Sequence, residues 1–203
     1  KLLDNSFLIN NCYYLDCIDN QYPFNEGILF PNTYFYKKDM LASSILKQSY
    51  NKLDSVLSEL WSKKPPNNIL KDKNEALILA SIIEKEAGND NEKSLIASVF
   101  LKRIEIGMRL QADPTIIYGL LPNFDGDIKK SDILNKNNPY NTYMIKSLPP
   151  TPIAIPSLTS IEAAVLSTPG EYLFFVANTP TSHYFSKTYD EHLSMIKTLG
   201  LNK

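Results

Sequence analysis

Glu84-Lys85-Glu86 is the stretch of this 203-residue sequence whose residue types and spacing could do acid–base chemistry. It lies in a helical pattern predicted from about Asn74 to Ala87 and ended by Gly88. At about 100° per residue the two glutamates stand about 200° apart and face opposite ways. Ile78, Leu79, Ile82 and Ile83 define an apolar stripe flanked by Ala76, Ala80 and Ala87, and Glu86 projects into its middle. Glu84 sits with Leu77 and Ser81 towards the other side. A carboxyl on an apolar face resists ionisation and holds its proton near neutral pH. That is the requirement for a general acid in glycoside cleavage. The alternative is a Glu86 that snorkels past the core edge or pairs with Arg103 or Arg109.

Other groups follow that suit a carbohydrate. Gln111, Asp113, Thr115 and Tyr118 come after the helices, and Tyr140-Asn141-Thr142-Tyr143 further on. Together they offer amides, hydroxyls and flat rings for a sugar's hydroxyls and apolar face. Singly, Asp113 reads as a helix cap, and Tyr140 or Tyr143 as core. A Ser-His-Asp triad stays open from residue types alone, but no nucleophile-elbow glycines flank a serine, and phosphate-binding glycine loops are absent. His183 and His192 are nine apart, and Cys12 and Cys17 alone make neither a disulfide scaffold nor a zinc site. No metal and no organic cofactor is expected.

These groups need a scaffold. An amphipathic helix is predicted from Leu41 to Ser62, stopped by Pro65-Pro66. Another runs from about Glu92 to Ile106, with Gly107 after it. Between Arg109 and Pro156 the expectation is loop with one short helix, Asp113 its N-cap and Pro114 its first residue. Thr159 and Glu162 read as a capping box for a helix through Leu166. Tyr172–Val176 and His183–Phe185 read as paired strands across an Asn178–Ser182 turn. Thr188 and Glu191 cap a closing helix that ends at Gly200. The expected fold is a helix-rich α+β domain with a small β-hairpin, residues 37–203, behind an aromatic, turn-rich segment 1–36.

Composition bounds the partners. With 21 basic and 22 acidic residues the formal charge is −1, so no basic field for a phosphate backbone exists and nucleic acid is not expected as a partner. No run approaches the roughly 18 apolar residues of a membrane span. The chain is therefore expected to be soluble, or anchored by an N-terminal segment outside this sequence; its start at Lys1 favours a fragment.

Ala80-Ser81-Ile82-Ile83-Glu84-Lys85-Glu86 resembles the signature of the endolytic murein transglycosylase (MltG, YceG-like) family. The likeness continues through Ala97–Arg103, Gly107–Gly119, Tyr140–Tyr143, Leu148-Pro149-Pro150, Pro152-Ile153-Ala154, Tyr172–Ala177 and His183-Tyr184-Phe185, and upstream through Glu26–Tyr34. The resemblance implies a lysozyme-like catalytic domain. It implies internal cleavage of nascent peptidoglycan strands between N-acetylmuramic acid and N-acetylglucosamine, with 1,6-anhydro ends that terminate elongation. Glu86 is then the essential acid. Gln111, Asp113, Thr115, Tyr118, Tyr140, Asn141, Thr142, Tyr143 and His183 are the expected glycan-binding groups. The resemblance further implies peptidoglycan synthases as partners and a remnant of a LysM-like module in 1–36. It places the catalytic domain on the periplasmic side of the bacterial inner membrane, held by an N-terminal helix absent from this sequence. The competing class is a catalytically silent glycan-binding or scaffold module. Ser147, Thr151 and Ser157 stand where the family usually has glycine, and Leu193 where Asn is common after His192, which puts the shape of the Pro-rich loop in question.

Overall fold

The computed structural model describes residues 18–201, so Cys12, Cys17 and any pairing between them lie outside the described residues. In chain order it contains α1 (Ala42–Ser62), α2 (Lys73–Glu86), a single 3₁₀ turn (Asp90–Glu92), α3 (Lys93–Glu105), α4 (Asp113–Leu120) and α5 (Lys130–Ile133). Then follow α6 (Leu158–Leu166), β1 (Phe174–Thr179), β2 (Ser182–Ser186) and α7 (Tyr189–Thr198). The architecture is helix-rich α+β, with one two-stranded antiparallel sheet among the described residues.

α2 is the central element. Asp72 caps it by accepting the Glu75 amide at 2.9 Å, and every residue from Ala76 to Ile83 is buried. The side carrying Leu77 and Ser81 is thus enclosed as fully as the Ile78–Ile83 side; Ser81 Oγ accepts the Ile153 amide there at 2.9 Å. α6 packs across α2 and α3, and α1 presents Leu53 and Leu57 to the same core. Residues 18–30 join this core through Phe24, Ile28 and Phe30, and Ser49 on α1 hydrogen-bonds the Phe30 backbone in both directions. β1 docks by setting Phe175 edge-on to Phe100 of α3, with ring centroids 5.7 Å apart. α7 covers the outer face of the hairpin, opened by the Thr188–Glu191 capping box and followed by Gly200 at φ +69.

Four local expectations are corrected. Asp113 is the first residue of α4 and not its N-cap, because Ala112 occupies the extended position and the Asp113 carboxylate is engaged by Tyr143. The cap of α6 is Ser157, two residues before Thr159, and the Thr159 hydroxyl is spent on Lys93 and Asp90. The stretch from Arg109 to Pro156 holds two short helices, α4 and α5, where one was expected. The hairpin turn is also tighter than the sequence suggests, with β1 running on to Thr179 and β2 starting at Ser182.

Candidate active site

Glu86 is the last residue of α2, where the buried helix meets a cleft of about 270 Å³. Gly88 lets the chain turn close against the hairpin: a Cβ at this position would sit 2.7 Å from the Thr181 Cα. Asn89 ties the same place, its side-chain amide donating to the Thr181 carbonyl. The cleft therefore lies between the end of α2 and the hairpin. Arg103, Gln111, Asp113 and Tyr143 line it with Glu86, and Phe175, Val176, Ala177 and His183 form the hairpin wall.

Burial raises the Glu86 carboxyl to about 8, the negative charge of Asp113 adds to the rise, and Arg103 opposes both. Among the described residues Glu86 makes no ion pair. Neither arginine that could have quenched it forms a salt bridge with it. Arg109 is exposed. Arg103 is buried, donates from Nε to the Leu173 carbonyl at 2.7 Å and from Nη1 to the Leu110 carbonyl, and lies over the Phe174 ring at 5.6 Å. Its own value is pulled down by burial to about 10, so it still carries its charge at neutral pH.

Glu84 is in the opposite state, two residues away. Partial burial would raise it, but hydroxyl donors from Ser157 and Ser160, the Ser157 amide and the Lys93 ammonium outweigh that and lower it to about 2. Ser157 and Ser160 each donate at 2.5 Å, and Lys93 Nζ lies at 3.2 Å. Lys93 is buried and also bonds Asp90, Ser157 and Thr159. Glu84 thus faces away from the cleft, into the junction of α2, α3 and α6.

Gln111, Asp113, Tyr143 and His183, all expected at the site, share the cleft with Glu86. Tyr143 donates to Asp113 at 2.6 Å, and burial followed by that bond raises the phenol well above its ordinary range. The other five do not line the cleft: Thr115 and Tyr118 are on α4, and Tyr140, Asn141 and Thr142 lie in the segment after α5. Thr115 and Thr142 are fully buried, 2.8 Å apart through their hydroxyls, with Thr142 also accepting the Ala112 amide. Tyr118 bonds Glu26 and Tyr140 bonds Thr151, their rings 4.8 Å apart. Asn141 is fully buried and donates to the carbonyls of Asp132, Ile133 and Asn135 at 2.9–3.0 Å while accepting the Tyr143 amide. A short polar residue in a helix-poor stretch satisfies backbone in this way, and composition alone does not separate that from ligand binding. Asn141→Ala should accordingly cost about 2–3 kcal/mol, because three carbonyls each lose a donor and those of Ile133 and Asn135 lose the side-chain amide that reaches them. Chemical denaturation reads this directly, and a change below 0.5 kcal/mol (about the level of an ordinary surface substitution) would refute it.

Gln111 carries a second signature. Its φ of +52 lies in the left-handed region, held by its backbone N–H donating to the Thr142 carbonyl at 3.1 Å. Such a conformation at a non-glycine residue costs of order 1 kcal/mol and collects at functional sites. Gln111→Gly should be about 1 kcal/mol more stable than Gln111→Ala, with both losing the amide from the cleft. Equal stabilities of the two variants in thermal melts would remove the strain. Glu92, which holds His183, was not among the sequence candidates; it is 91 residues from its partner, and no local spacing signals it.

A protein-family model described as the YceG-like family matches residues 5–198. The chain is 36% identical over 168 residues to a protein named endolytic murein transglycosylase in Bacillus subtilis (strain 168), covering 82% of this chain and 46% of that protein. It is 32% identical over 171 residues to one of the same name in Streptococcus pneumoniae serotype 2, covering 82% of this chain and 31% of the other. The chain thus spans less than half the length of these curated relatives. Among solved structures, a YceG-like protein of Listeria monocytogenes superposes with a TM-score of 0.69 at 35% identity, over 83% of this chain and 54% of that one.

Proposed function

The chain belongs to the YceG-like family, and from that premise we propose that it is an endolytic lytic transglycosylase acting on peptidoglycan glycan strands, with Glu86 as its acid and base. The observation that carries this reading is a carboxyl raised to about 8 and unpaired at the wall of a cleft. The relatives named endolytic murein transglycosylase support the substrate class.

Glu86 enters the reaction protonated. It gives its proton to the glycosidic oxygen, the bond to C1 of the muramic-acid ring breaks, and positive charge builds on that ring. The substrate's 2-acetamido group stabilises this charge. Glu86, now ionised, takes the proton of the 6-hydroxyl as that oxygen closes on C1, leaving a 1,6-anhydro end and a regenerated acid. Hydrolysis of the ordinary two-carboxylate kind would need a second free carboxylate about 5 Å away if retaining, or about 6.5–9.5 Å away if inverting. Asp113 is the candidate, and the Tyr143 hydroxyl already occupies one of its oxygens at 2.6 Å. Asp113 then serves the acid by raising its pKa, and Tyr143 and Gln111 contact the glycan. Thr115, Tyr118, Tyr140, Asn141 and Thr142 set the loop that presents them. His183 contacts the strand from the hairpin side.

The proposal extends to a lysozyme-like catalytic domain on the extracytoplasmic side of the cytoplasmic membrane, attached by an N-terminal helix and working beside peptidoglycan synthases. Among the described residues no helix is long and apolar enough to cross a membrane. Digestion of purified glycan strands followed by mass spectrometry of the ends tests the reading. Ends lighter by one water than hydrolytic ends support the lyase. Hydrated ends would replace it with a hydrolase, and uncut strands with a glycan-binding module.

A further inference from the structure

His183 reaches the cleft from β2, with its ring edge-on to Phe175 at 5.4 Å and its side chain 12% exposed. Glu92, at the end of the 3₁₀ turn that follows Glu86, gives it both carboxylate oxygens. Oε1 accepts the His183 backbone amide at 2.9 Å, and Oε2 lies 2.8 Å from Nδ1. An ionised carboxylate only accepts, so Nδ1 carries the proton and a neutral ring keeps its lone pair on Nε2. Among the described residues Nε2 has no hydrogen-bond partner, and it is not one of the sealed, unpartnered atoms; the second histidine, His192, has its Nδ1 sealed in that way. A clamp for the hairpin needs only the backbone bond, and Asn89 and Gly88 already hold the turn. The second bond, to the ring, fixes a tautomer.

We propose that Glu92 is a positioning residue that holds His183 in its Nδ1–H form, so that Nε2 accepts a hydrogen bond from a donor on the bound strand, a sugar hydroxyl or acetamido N–H. This rests on the cleft being a glycan site. It adds a fixed acceptor on the wall that faces the acid, so that the sugar is oriented from both sides.

The test uses Glu92→Gln, whose amide nitrogen can donate to Nδ1 and drive the ring to the Nε2–H form while its oxygen keeps the backbone bond. Ring nitrogen NMR of histidine-labelled protein, under alkaline conditions where imidazole is neutral, should show Nδ1–H for His183 in the wild type and Nε2–H in the variant. Strand cleavage by the variant should fall about tenfold in kcat/KM, the size of one hydrogen bond, with the melting temperature little changed. In a His183→Ala background, Glu92→Gln should add no further loss. An Nε2–H ring in the wild type, a tautomer switch with unchanged cleavage, or independent losses from the two substitutions would each overturn the proposal. Uncut strands with wild-type protein would defeat the transglycosylase reading instead. The pair is then decided by adding an alternating N-acetylglucosamine–N-acetylmuramic acid tetrasaccharide to Glu86→Gln: a shifted Nε2 resonance supports the proposal, and a silent one rejects it.

Discussion

Glu86→Gln should fold as the wild type does and lose strand cleavage by about 10²–10⁴-fold, because the amide keeps the shape of the side chain and has no proton to transfer. The same variant reports on the site without substrate. The folded-state value of about 8 lies above the ordinary 4.5, so below about pH 4.5 the carboxyl is protonated whether folded or unfolded. As pH rises from there through 8, folding must hold a proton that the unfolded chain releases, and the wild type loses stability. Glu86→Gln carries no such penalty. Its stability relative to wild type should therefore rise across that window and level off above it. Cleavage by the wild type should fall on the alkaline side, where the acid arrives without its proton. A flat stability difference from pH 4 to 9, or activity within threefold of wild type, would remove Glu86 from the role.

The second large effect is expected two residues earlier and in the opposite quantity. Glu84→Ala removes the acceptor shared by Ser157, Ser160 and the buried Lys93. Asp90 keeps a bond to the ammonium at 2.7 Å, so the loss should be about 2–4 kcal/mol and not the full cost of an orphaned charge. The loss should also depend on pH with the reverse sign. Glu84 is held down at about 2, so its contribution is complete above the ordinary carboxylate value and disappears as pH falls towards 2. Denaturation of both proteins at pH 7 and pH 3 checks this: the gap between them should be smaller at pH 3. A gap independent of pH would show that the serine and lysine contacts do not bear on stability.

The helices and their ends were legible because they rest on local signals. Pro65-Pro66 stops α1, Gly107 takes φ +67 after α3, and Thr188 with Glu191 opens α7. The opposite facing of Glu84 and Glu86 also followed from helical geometry. The surroundings of Glu84 did not. Its partners on α3 and α6 come from residues up to 76 positions away, and periodicity carries no information about which helix will cover a face. Thr115, Asn141 and Thr142 illustrate the same limit, since an amide or hydroxyl that knits a loop has the composition of one that grips a sugar. Ser157 and Thr151 use their hydroxyls, one capping α6 and the other bonding Tyr140, which no local spacing announces.

Arg103 bears on how such a protein could drift. Two backbone carbonyls and an aromatic face hold the guanidinium away from an unpaired carboxyl in the same cleft. A salt bridge between the two would relieve both desolvation penalties, so selection for a sturdier chain alone would favour forming it. The outcome would be a well-folded protein with an ionised, useless acid. With Glu86 as the proposed acid, activity depends on a bond that is withheld, and the carbonyls of Leu110 and Leu173 withhold it. Substitutions that merely reshape the backbone at Leu110 and Leu173 would then silence the chain while the proposed acid and the groups lining its cleft stay in place.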